Sequence, residues 1–240
     1  MTSLNAENAP QHIAIVMDGN GRWAKQRKKS VSYGHKAGAE NVRVVLSAAK
    51  ELGVKELTLF AFSSENWQRP RLEVSALMTL FSDYLDNHID ELDEEGVRLR
   101  FIGSRERFSK GLLAKIKQAE KKTQANQLFV LNLAVDYGGQ WDICQATKII
   151  AQKVLNEEIM PDQVDESLLE KYLSLDASRY PDLLIRTSGE CRISNFLLWQ
   201  LAYSELYFTD VLWPDFSASE LVKAVTCFQQ RDRRYGTRTA

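Results

Sequence analysis

The chain has 240 residues, of which 44% are hydrophobic and 26% charged, values typical of a globular protein. Lys plus Arg number 31 and Asp plus Glu 32, so the net charge is −1, whereas a protein that binds nucleic acid through its overall charge is strongly basic. We therefore expect no nucleic-acid partner.

Strands are predicted from short continuous apolar runs, and helices from apolar residues that recur every three or four positions. In chain order the sequence predicts a strand at 13–17, a helix at 37–52, a strand at 57–62, a helix at 73–95, a strand at 97–102, a helix at 105–124, a strand at 128–135, helices at 140–156 and 167–175, strands at 183–186 and 206–208, and a helix at 217–230. This alternation predicts an α/β fold, a six-stranded and mainly parallel sheet flanked by helices. Residues 1–11 are predicted to be a flexible tail, and residues 12–240 a single domain.

The three cysteines are widely spaced and form no Cys-x-x-Cys pair, which predicts free thiols in a reducing compartment. The first eleven residues are polar and do not resemble a secretory signal. No apolar run approaches the about 20 residues that span a bilayer. We expect a cytoplasmic protein with no stable membrane insertion, although contact with a membrane surface stays open.

Polar residues follow the first predicted strand, in the segment Asp-Gly-Asn-Gly-Arg-Trp at 18–23. Ligands of open parallel sheets bind at the carboxyl ends of the strands. The Asp18 carboxylate suits Mg²⁺, Gly19 and Gly21 let backbone N–H groups approach an anion, and Arg22 can bind phosphate oxygens. The segment is not a P-loop, and an Asn-Gly turn before a helix is the alternative interpretation.

The next two candidate segments are His35, beside Gly34, and the seven polar or aromatic residues from Ser63 to Arg69. His35 is predicted to lie at the start of a helix, where an anion is favoured. The second segment follows the second predicted strand, where the sheet predicts a site. Helix capping by the serines and a core position for Trp67 are the alternatives.

Residues 186–194 follow the fifth predicted strand and contain two arginines and two serines around a glycine, which predicts a second anion site. Arg186 directly follows an apolar run and needs an anionic partner, which is either a ligand or a carboxylate such as Asp182 or Glu190. Glu205 lies in an apolar stretch and requires a cation, a metal or a buried hydrogen-bond partner. Two anion sites, two candidate Mg²⁺ ligands and a large apolar interior suit two diphosphates and an apolar substrate.

Six motifs occur in an order that resembles the cis-prenyltransferases, most strongly the bacterial undecaprenyl diphosphate synthases among them, from about residue 12 to 236. They are Asp-Gly-Asn-Gly-Arg-Trp-Ala (18–24), Gly-His-Lys-Ala-Gly (34–38), Phe-Ser-Ser-Glu-Asn-Trp-x-Arg-Pro (62–70), Arg-Thr-Ser-Gly-Glu (186–190), Arg-Ile-Ser-Asn-Phe-Leu-Leu-Trp-Gln (192–200) and Tyr-Phe-Thr-Asp-x-Leu-Trp-Pro-Asp-Phe (207–216). The resemblance implies successive cis condensations of isopentenyl diphosphate onto farnesyl diphosphate. The implied product is undecaprenyl diphosphate, the lipid carrier precursor for cell-wall polysaccharide.

The resemblance also implies residue roles. Asp18 would be the essential carboxylate and would hold Mg²⁺ with Glu205, and Asn66 would assist proton removal, although an amide is a poor base. The residues implied around the allylic diphosphate and the reacting atoms are Gly19, Asn20, Gly21, Arg22, Trp23, His35, Ser63, Ser64, Glu65, Trp67 and Arg69. Those implied to bind isopentenyl diphosphate are Arg186, Arg192, Ile193 and Ser194.

A hydrophobic tunnel and a homodimer are implied as well. Leu77, Phe81, Leu85 and Ile89 form one stripe of the predicted helix 73–95, which would wall the tunnel or be ordinary core. We further hypothesise that residues 231–236, rich in arginine, approach a diphosphate across the dimer interface.

The chain departs from the family's usual residues at several positions. They are Val31 in place of Arg, Cys191 in place of His, and Asp136 and Gln140 in place of Asn and Arg.

Three other functions were weighed. The acidic run at 90–95 is interpreted as a solvated face rather than a trans-prenyltransferase motif. A phosphohydrolase that uses Asp18 as nucleophile would usually carry an acid where this chain has Asn20. A non-catalytic partner subunit would lack the motifs around Asp18 and Arg186.

Overall fold

The structure is a computed structural model that describes residues 8–175 and 180–231. Within these ranges six strands form one parallel sheet, as the sequence predicts. The strands are β1 (His12–Val16), β2 (Glu56–Ser63), β3 (Val97–Ile102), β4 (Phe129–Tyr137), β5 (Leu183–Arg186) and β6 (Glu205–Phe208). They are ordered β3-β4-β2-β1-β5-β6.

Seven α-helices connect or flank these strands in the described ranges. They are α1 (Asn20–Gln26), α2 (Val31–Glu51), α3 (Arg71–Glu94), α4 (Lys110–Thr123), α5 (Gly139–Leu155), α6 (Glu166–Glu170) and α7 (Ala218–Gln229). Short 3-10 turns occupy Ser64–Gln68, Pro161–Gln163 and Trp213–Asp215. No helix in the described part of the chain has the length and apolar character needed to cross a membrane.

The sheet is buried on both faces, which explains the continuous apolar runs of its strands. Alternate residues such as Ile13 and Ile15 face a large core formed with α2, α3, α4 and α7. Ala14 and Val16 face a smaller core that includes Phe196 and other residues of the segment after β5. Because helices and the segment after β5 cover both faces of the sheet, side chains can contact a ligand at its carboxyl edge.

The predicted tail divides into two parts. Residues 1–7 lie outside the described residues, whereas Ala9 is buried and the Gln11 carbonyl accepts hydrogen bonds from the Lys55 and Glu56 N–H groups. The last residues before β1 are therefore attached to the sheet.

Helix α2 begins at Val31, six residues before its predicted start at 37, because the Ser30 hydroxyl caps it by accepting from the Tyr33 N–H. Gly34 and Gly38 do not end the helix; they allow α1 to cross it closely. A Cβ on Gly34 would lie 2.1 Å from the Asn20 carbonyl oxygen, and one on Gly38 would lie 2.3 Å from Asn20 Oδ1. His35 consequently lies in the second turn of α2, and the predicted location at a helix N-terminus is wrong.

We expect Gly34→Ala to lower the free energy of unfolding by about 1–3 kcal/mol, because an inserted methyl group must displace the backbone of α1. Denaturant-induced unfolding measures the change. Gly111→Ala in α4 is the matched control, since the nearest atom to its Cβ would be Ser109 Oγ at 4.0 Å; we expect a gain of about 0.4–1 kcal/mol there. Equal effects of the two substitutions would contradict the close crossing.

Two predicted helices are shorter in the structure. Helix α4 begins at Lys110 rather than 105, since Ser109 caps it by accepting from the Leu112 N–H. The helix predicted over 167–175 ends at Glu170. Beyond it, the Ser174 N–H and hydroxyl both donate to Asp142 Oδ1, so this backbone group serves a partner on α5 instead of continuing the helix.

Candidate functional site

A cleft of about 530 Å³ lies at the carboxyl ends of β1, β2 and β5. Those strands are adjacent in the sheet, and residues far apart in sequence meet there. Nine of the predicted site residues line this cleft: Asp18, Asn20, His35, Ser63, Glu65, Asn66, Arg69, Arg186 and Ser194.

Arg186 is the centre of the hydrogen bonding in this cleft, with only 5% of its side chain exposed. Its Nη2 donates to Asp18 Oδ2 at 3.0 Å, and its Nη1 donates to Ser194 Oγ and to the Arg192 carbonyl, both at 2.6 Å. The anionic partner is therefore Asp18, and neither Asp182 nor Glu190 as the sequence suggested. Asp182 instead accepts from the N–H groups of Gln11 and His12, and Glu190 pairs with Arg192 and Arg22.

The backbone of Asp18 is fixed by Thr187, directly after β5, and by Trp213. The Thr187 hydroxyl accepts from the Asp18 N–H at 2.9 Å and donates to the Asp18 carbonyl at 2.7 Å. The same carbonyl accepts from the Trp213 N–H at 3.0 Å. One of these three bonds engages the Asp18 N–H and two engage its carbonyl, so the backbone that carries the carboxylate is held on both sides of the Cα atom.

The carboxylate of Asp18 is ionised over a wide pH range. Its partial burial raises the pKa, but hydrogen bonds from Arg186 and Ser188 and the charges of Arg186 and Arg22 outweigh this, so the pKa lies below its usual value. Both arginines approach the same oxygen, Oδ2, at 3.0 and 3.6 Å. An ionised carboxylate beside two guanidinium groups can bind a metal ion in place of one arginine. The arginine that is released can then bind an incoming anion.

Arg22 and Arg192 flank the cleft on its exposed side. Arg22 Nη1 donates to the Ser188 carbonyl at 2.8 Å, and Nη2 contacts the Ser188 hydroxyl. Arg192 is 61% exposed and pairs with Glu190. Since neither arginine is deeply buried, both can reorient towards a diphosphate at little cost.

The turn Ser64–Gln68 carries four of the predicted residues and is held by its own side chains. A bulge in the β2–β4 pairing at Phe62 and Ser63 redirects the chain there. The Ser63 N–H then donates to Asn66 Oδ1 at 3.1 Å, in the arrangement of a capping box. The amide of Asn66 is therefore partly engaged in holding this turn.

Glu73 contacts two of the predicted site residues, Arg69 and His35, on the side of the cleft away from Arg186. It accepts from Arg69 Nη1 at 3.0 Å and lies 3.4 Å from His35 Nε2. Burial, assisted by the charge of Arg69, lowers the pKa of His35 against the opposing effect of Glu73. His35 is thus neutral at neutral pH and offers a hydrogen-bonding imidazole to the cleft.

An apolar cavity of about 80 Å³ continues from the cleft between α2 and α3, where it shares Met17, His35 and Leu77 with it. Leu77 and Phe81 of the predicted stripe line this cavity, whereas Leu85 and Ile89 belong to the core. A cavity that holds one benzene molecule measures about 150 Å³. This cavity is therefore smaller than a single benzene site, and the predicted tunnel stays a prediction.

Trp23 and Trp67 do not line the cleft. Trp23 Nε1 donates to Asp215 Oδ1, and its ring stacks on Tyr33. Trp67 packs edge-on against Phe62 and lies beneath Arg107, as the alternative core interpretation anticipated. The remaining predicted residues outside the cleft lining are Gly19, Gly21, Arg22, Ser64, Arg192, Ile193 and Glu205.

Glu205 is separated from Asp18 within one chain. In the β5–β6 register, Glu205 lies opposite Leu183 at the amino end of β5. Arg186, which contacts Asp18, lies opposite Phe208 at the carboxyl end of β5. The carboxylate of Glu205 accepts from Arg231 Nη1 at 2.6 Å. No group of three or more metal-ligating side chains occurs among residues 8–175 and 180–231, and of the arginine-rich segment 231–236 only Arg231 is among them.

The four residues at which the chain departs from the family's usual pattern are all among the described residues. Val31 is the first residue of α2 and is 43% exposed, and Cys191 is an exposed free thiol. Asp136 is buried and accepts two hydrogen bonds from Arg107 at 2.7 and 3.1 Å. The Gln140 N–H donates to Asn195 Oδ1.

Sequence reasoning missed two polar residues that the structure brings to the site, Thr187 and Asn195, and it placed Ser188 in the second anion site without a contact of its own. All three lie inside motifs that the resemblance quotes, next to predicted site residues. The contacts of Ser188 and Asn195 depend on positive φ angles of 80° and 61°, which the sequence analysis did not predict.

The fold and the cleft together define a class of protein that binds anionic groups at the carboxyl edge of a parallel sheet, beside an apolar cavity. The family model described as putative undecaprenyl diphosphate synthase matches residues 16–236. The chain belongs to this family, the cis-prenyltransferases.

Curated relatives extend this result. The farnesyl-diphosphate-specific ditrans,polycis-undecaprenyl-diphosphate synthase of Vibrio cholerae is 52% identical over 98% of this chain and 94% of its own length. The synthase of the same description from Escherichia coli K12 is 51% identical over 94% of this chain and 89% of its own.

Solved structures agree with the fold. Lavandulyl diphosphate synthase from Lavandula x intermedia, in complex with dimethylallyl diphosphate, superposes with a TM-score of 0.93 at 40% identity, covering 96% of this chain and 99% of that one. A probable undecaprenyl diphosphate synthase from Campylobacter jejuni gives 0.79 at 31% identity, over 95% and 99% of the two chains.

Proposed function

We propose that this protein is a Mg²⁺-dependent cis-prenyltransferase that condenses isopentenyl diphosphate repeatedly onto farnesyl diphosphate to form undecaprenyl diphosphate. The observation that carries the proposal is the buried Arg186, held between Asp18 and Ser194 at the carboxyl edge of the sheet. The names of the curated relatives supply farnesyl diphosphate and the product, and isopentenyl diphosphate is what the family resemblance implies. The product would be the precursor of a lipid carrier for cell-wall polysaccharide.

The two sides of the cleft suit the two diphosphates. We assign the allylic diphosphate to the side formed by the start of α1, His35 and Arg69, with Arg22 reorienting from Ser188. We assign the isopentenyl diphosphate to Arg186, Arg192 and Ser194. The Nε atom of Arg186 supports this assignment, because it is buried without a hydrogen-bond partner among the described residues and therefore favours an acceptor.

In the reaction, the C–O bond of the allylic substrate breaks, a carbon–carbon bond forms to isopentenyl diphosphate, and a proton leaves the new unit. Inorganic diphosphate is the leaving group. The arginines stabilise the charge that grows on its oxygens, and the turn Ser64–Gln68 orients the reacting carbons. Asn66 is proposed to assist the proton transfer, although its Oδ1 already accepts from the Ser63 N–H.

The donor set fits Mg²⁺ bound by one carboxylate and by substrate. Mg²⁺ keeps several waters and is commonly held by one or two carboxylates together with phosphate oxygens. Asp18 supplies an ionised carboxylate at the cleft, and the oxygens of a bound diphosphate would supply further ligands. When bound there, Mg²⁺ neutralises charge on the leaving diphosphate.

The remaining expectations are kept as proposals. The protein would be cytoplasmic and homodimeric, with residues 12–240 forming one catalytic domain and with surface contact to a membrane when the product leaves. Glu205 remains a proposed Mg²⁺ ligand only if a second chain carries it to the cleft, since within one chain it pairs with Arg231. Growth of the product would enlarge the cavity between α2 and α3.

A radiolabel assay tests the function. Purified protein is incubated with farnesyl diphosphate, labelled isopentenyl diphosphate and Mg²⁺, and the products are sized by chromatography. We expect a ladder of products that ends near the undecaprenyl length and disappears when a chelator removes the divalent metal, because the leaving diphosphate then loses its counter-charge.

Each alternative has its own outcome in this assay. Products that stop at a shorter length would keep the class of reaction and change the product. Phosphate release without prenyl transfer would favour a phosphohydrolase, and no incorporation by the pure chain would favour a subunit that needs a partner.

A further inference from the structure

Asn195 joins three segments at the edge of the cleft. Its Nδ2 donates to Glu65 Oε1 at 2.9 Å, and its Oδ1 accepts from the Gln140 N–H at 2.9 Å. Its backbone carbonyl accepts from the Gly139 N–H at 2.6 Å. The residue therefore connects the segment after β5 to the turn after β2 and to the start of α5 after β4.

The local backbone is shaped for these contacts. Asn195 adopts a φ of 61°, a left-handed conformation that Asn tolerates better than most residues. A Cβ on Gly138 would lie 2.7 Å from Asn195 Nδ2 and 2.8 Å from Ser64 Oγ. The absence of a side chain at Gly138 thus lets the three segments approach one another.

The contact with Glu65 spans the strand that carries Asp18. In the sheet β1 lies between β2 and β5, so the turn Ser64–Gln68 and the segment 186–194 are not attached to neighbouring strands. The hydrogen bond between Asn195 and Glu65 links these two halves of the cleft directly. Reaction rates depend steeply on such spacing, because a 1 Å misplacement costs about 100-fold.

We propose that Asn195 is a positioning residue, which sets the spacing between the two halves of the cleft through its hydrogen bond to Glu65. The inference rests on the proposed function, since the two halves would hold the two substrates.

The electrostatics of Glu65 agree with this contact. Partial burial raises its pKa, but the hydrogen bond from Asn195, together with bonds from its own N–H, Ser63 and Ser64, holds the pKa below the usual value. The other titratable or charged residues among the described ones that line the cleft are Asp18, His35, Arg69 and Arg186.

Asn195→Asp is the decisive substitution. The new carboxylate still accepts from the Gln140 N–H and is favoured at the start of α5, so folding is preserved. It loses the donor, however, and faces the carboxylate of Glu65. We expect kcat to fall about tenfold or more at about pH 8, with a smaller change in KM. The loss of kcat relative to wild type should become smaller towards about pH 6. One carboxyl of two neighbouring carboxylates has a raised pKa, and its proton restores a hydrogen bond between residues 65 and 195.

A swapped pair provides the matched control. In Glu65→Gln the amide oxygen still accepts from Asn195, and in the double variant Glu65→Gln/Asn195→Asp the amide of residue 65 donates to the new carboxylate. We expect the double variant to recover to within about threefold of Glu65→Gln, a difference well under 1 kcal/mol. The positioning role would be overturned by wild-type rates for Asn195→Asp, by a loss of kcat in that variant that does not depend on pH, or by a double variant that stays as slow as Asn195→Asp alone.

A carboxyl NMR titration separates this inference from the proposed function. We expect Asn195→Ala to raise the pKa of Glu65 towards its ordinary value, and an unchanged pKa would overturn the contact. This measurement does not depend on turnover. If the wild-type chain incorporates no isopentenyl diphosphate, the proposed function fails while the titration still decides the contact.

Discussion

Asp18→Ala is expected to lower kcat by several orders of magnitude while substrate binding is largely kept. The carboxylate is ionised and placed between Arg186 and Arg22, and the proposal assigns to it the metal that stabilises the leaving diphosphate. A group that acts mainly in the transition state affects the rate constant more than the affinity. Steady-state kinetics with labelled isopentenyl diphosphate would give kcat and KM separately.

Glu158→Ala is a suitable control for this substitution. Glu158 also pairs with a cation, Lys153 at 2.6 Å, but it lies outside the cleft lining, and we expect wild-type kinetics from this variant. If Asp18→Ala kept more than about a tenth of the wild-type rate, a loss of under about 1.4 kcal/mol, the central role of this carboxylate would be wrong.

Arg186→Ala is expected to raise the KM for isopentenyl diphosphate about 100-fold or more. The side chain is 5% exposed and makes three hydrogen bonds within the cleft. Removing one partner of a buried charge pair costs about 2–5 kcal/mol in binding. Arg186→Lys keeps the charge without the planar fork, and we expect an intermediate KM. Initial rates against isopentenyl diphosphate concentration, with farnesyl diphosphate saturating, measure both variants.

A double variant tests whether Arg186 and Asp18 act together. Because the two side chains are bonded, we expect the combined loss in kcat/KM to be smaller than the product of the single losses. Strict additivity would argue that the pairing seen here is not maintained in the working enzyme. Thermal unfolding of each variant distinguishes a lost ligand contact from a destabilised fold.

The regular part of the fold was predictable because its cause is local. Continuous apolar runs of β1 and β5 are buried on both faces, and all six predicted strands are present in the described residues. The rule that ligands bind at the carboxyl edge then placed Asp18, Asn66 and Arg186 in one cleft, as the structure finds. The family resemblance implied the roles of these residues, and the structure gave the contacts that they make.

The errors arose where distant segments override local signals. The sequence predicts a helix from residue 37, but the Ser30 cap starts α2 at Val31, so Gly34 lies within the helix where α1 crosses it. Glu205 was predicted to need a cation, a metal or a hydrogen-bond partner, and within one chain Arg231, 26 positions away, is that cation, so its role towards Mg²⁺ stays a proposal. Asn195 gave no signal of its own, since its importance depends on a positive φ and on a contact with Glu65, 130 positions away.

The pairing of Asp18 with Arg22 as well as with Arg186 also bears on how the enzyme would be regenerated between cycles. Without substrate both arginines have a carboxylate beside them, so an arriving diphosphate competes with Asp18 for each arginine. On the side that we assign to the allylic substrate, this competition weakens the binding of inorganic diphosphate as well as of substrate, because Asp18 can pair with Arg22 again when the diphosphate leaves. An enzyme that releases one inorganic diphosphate for every unit it adds therefore benefits from a carboxylate beside its arginines. A cleft with arginines alone would bind inorganic diphosphate more tightly and release it more slowly.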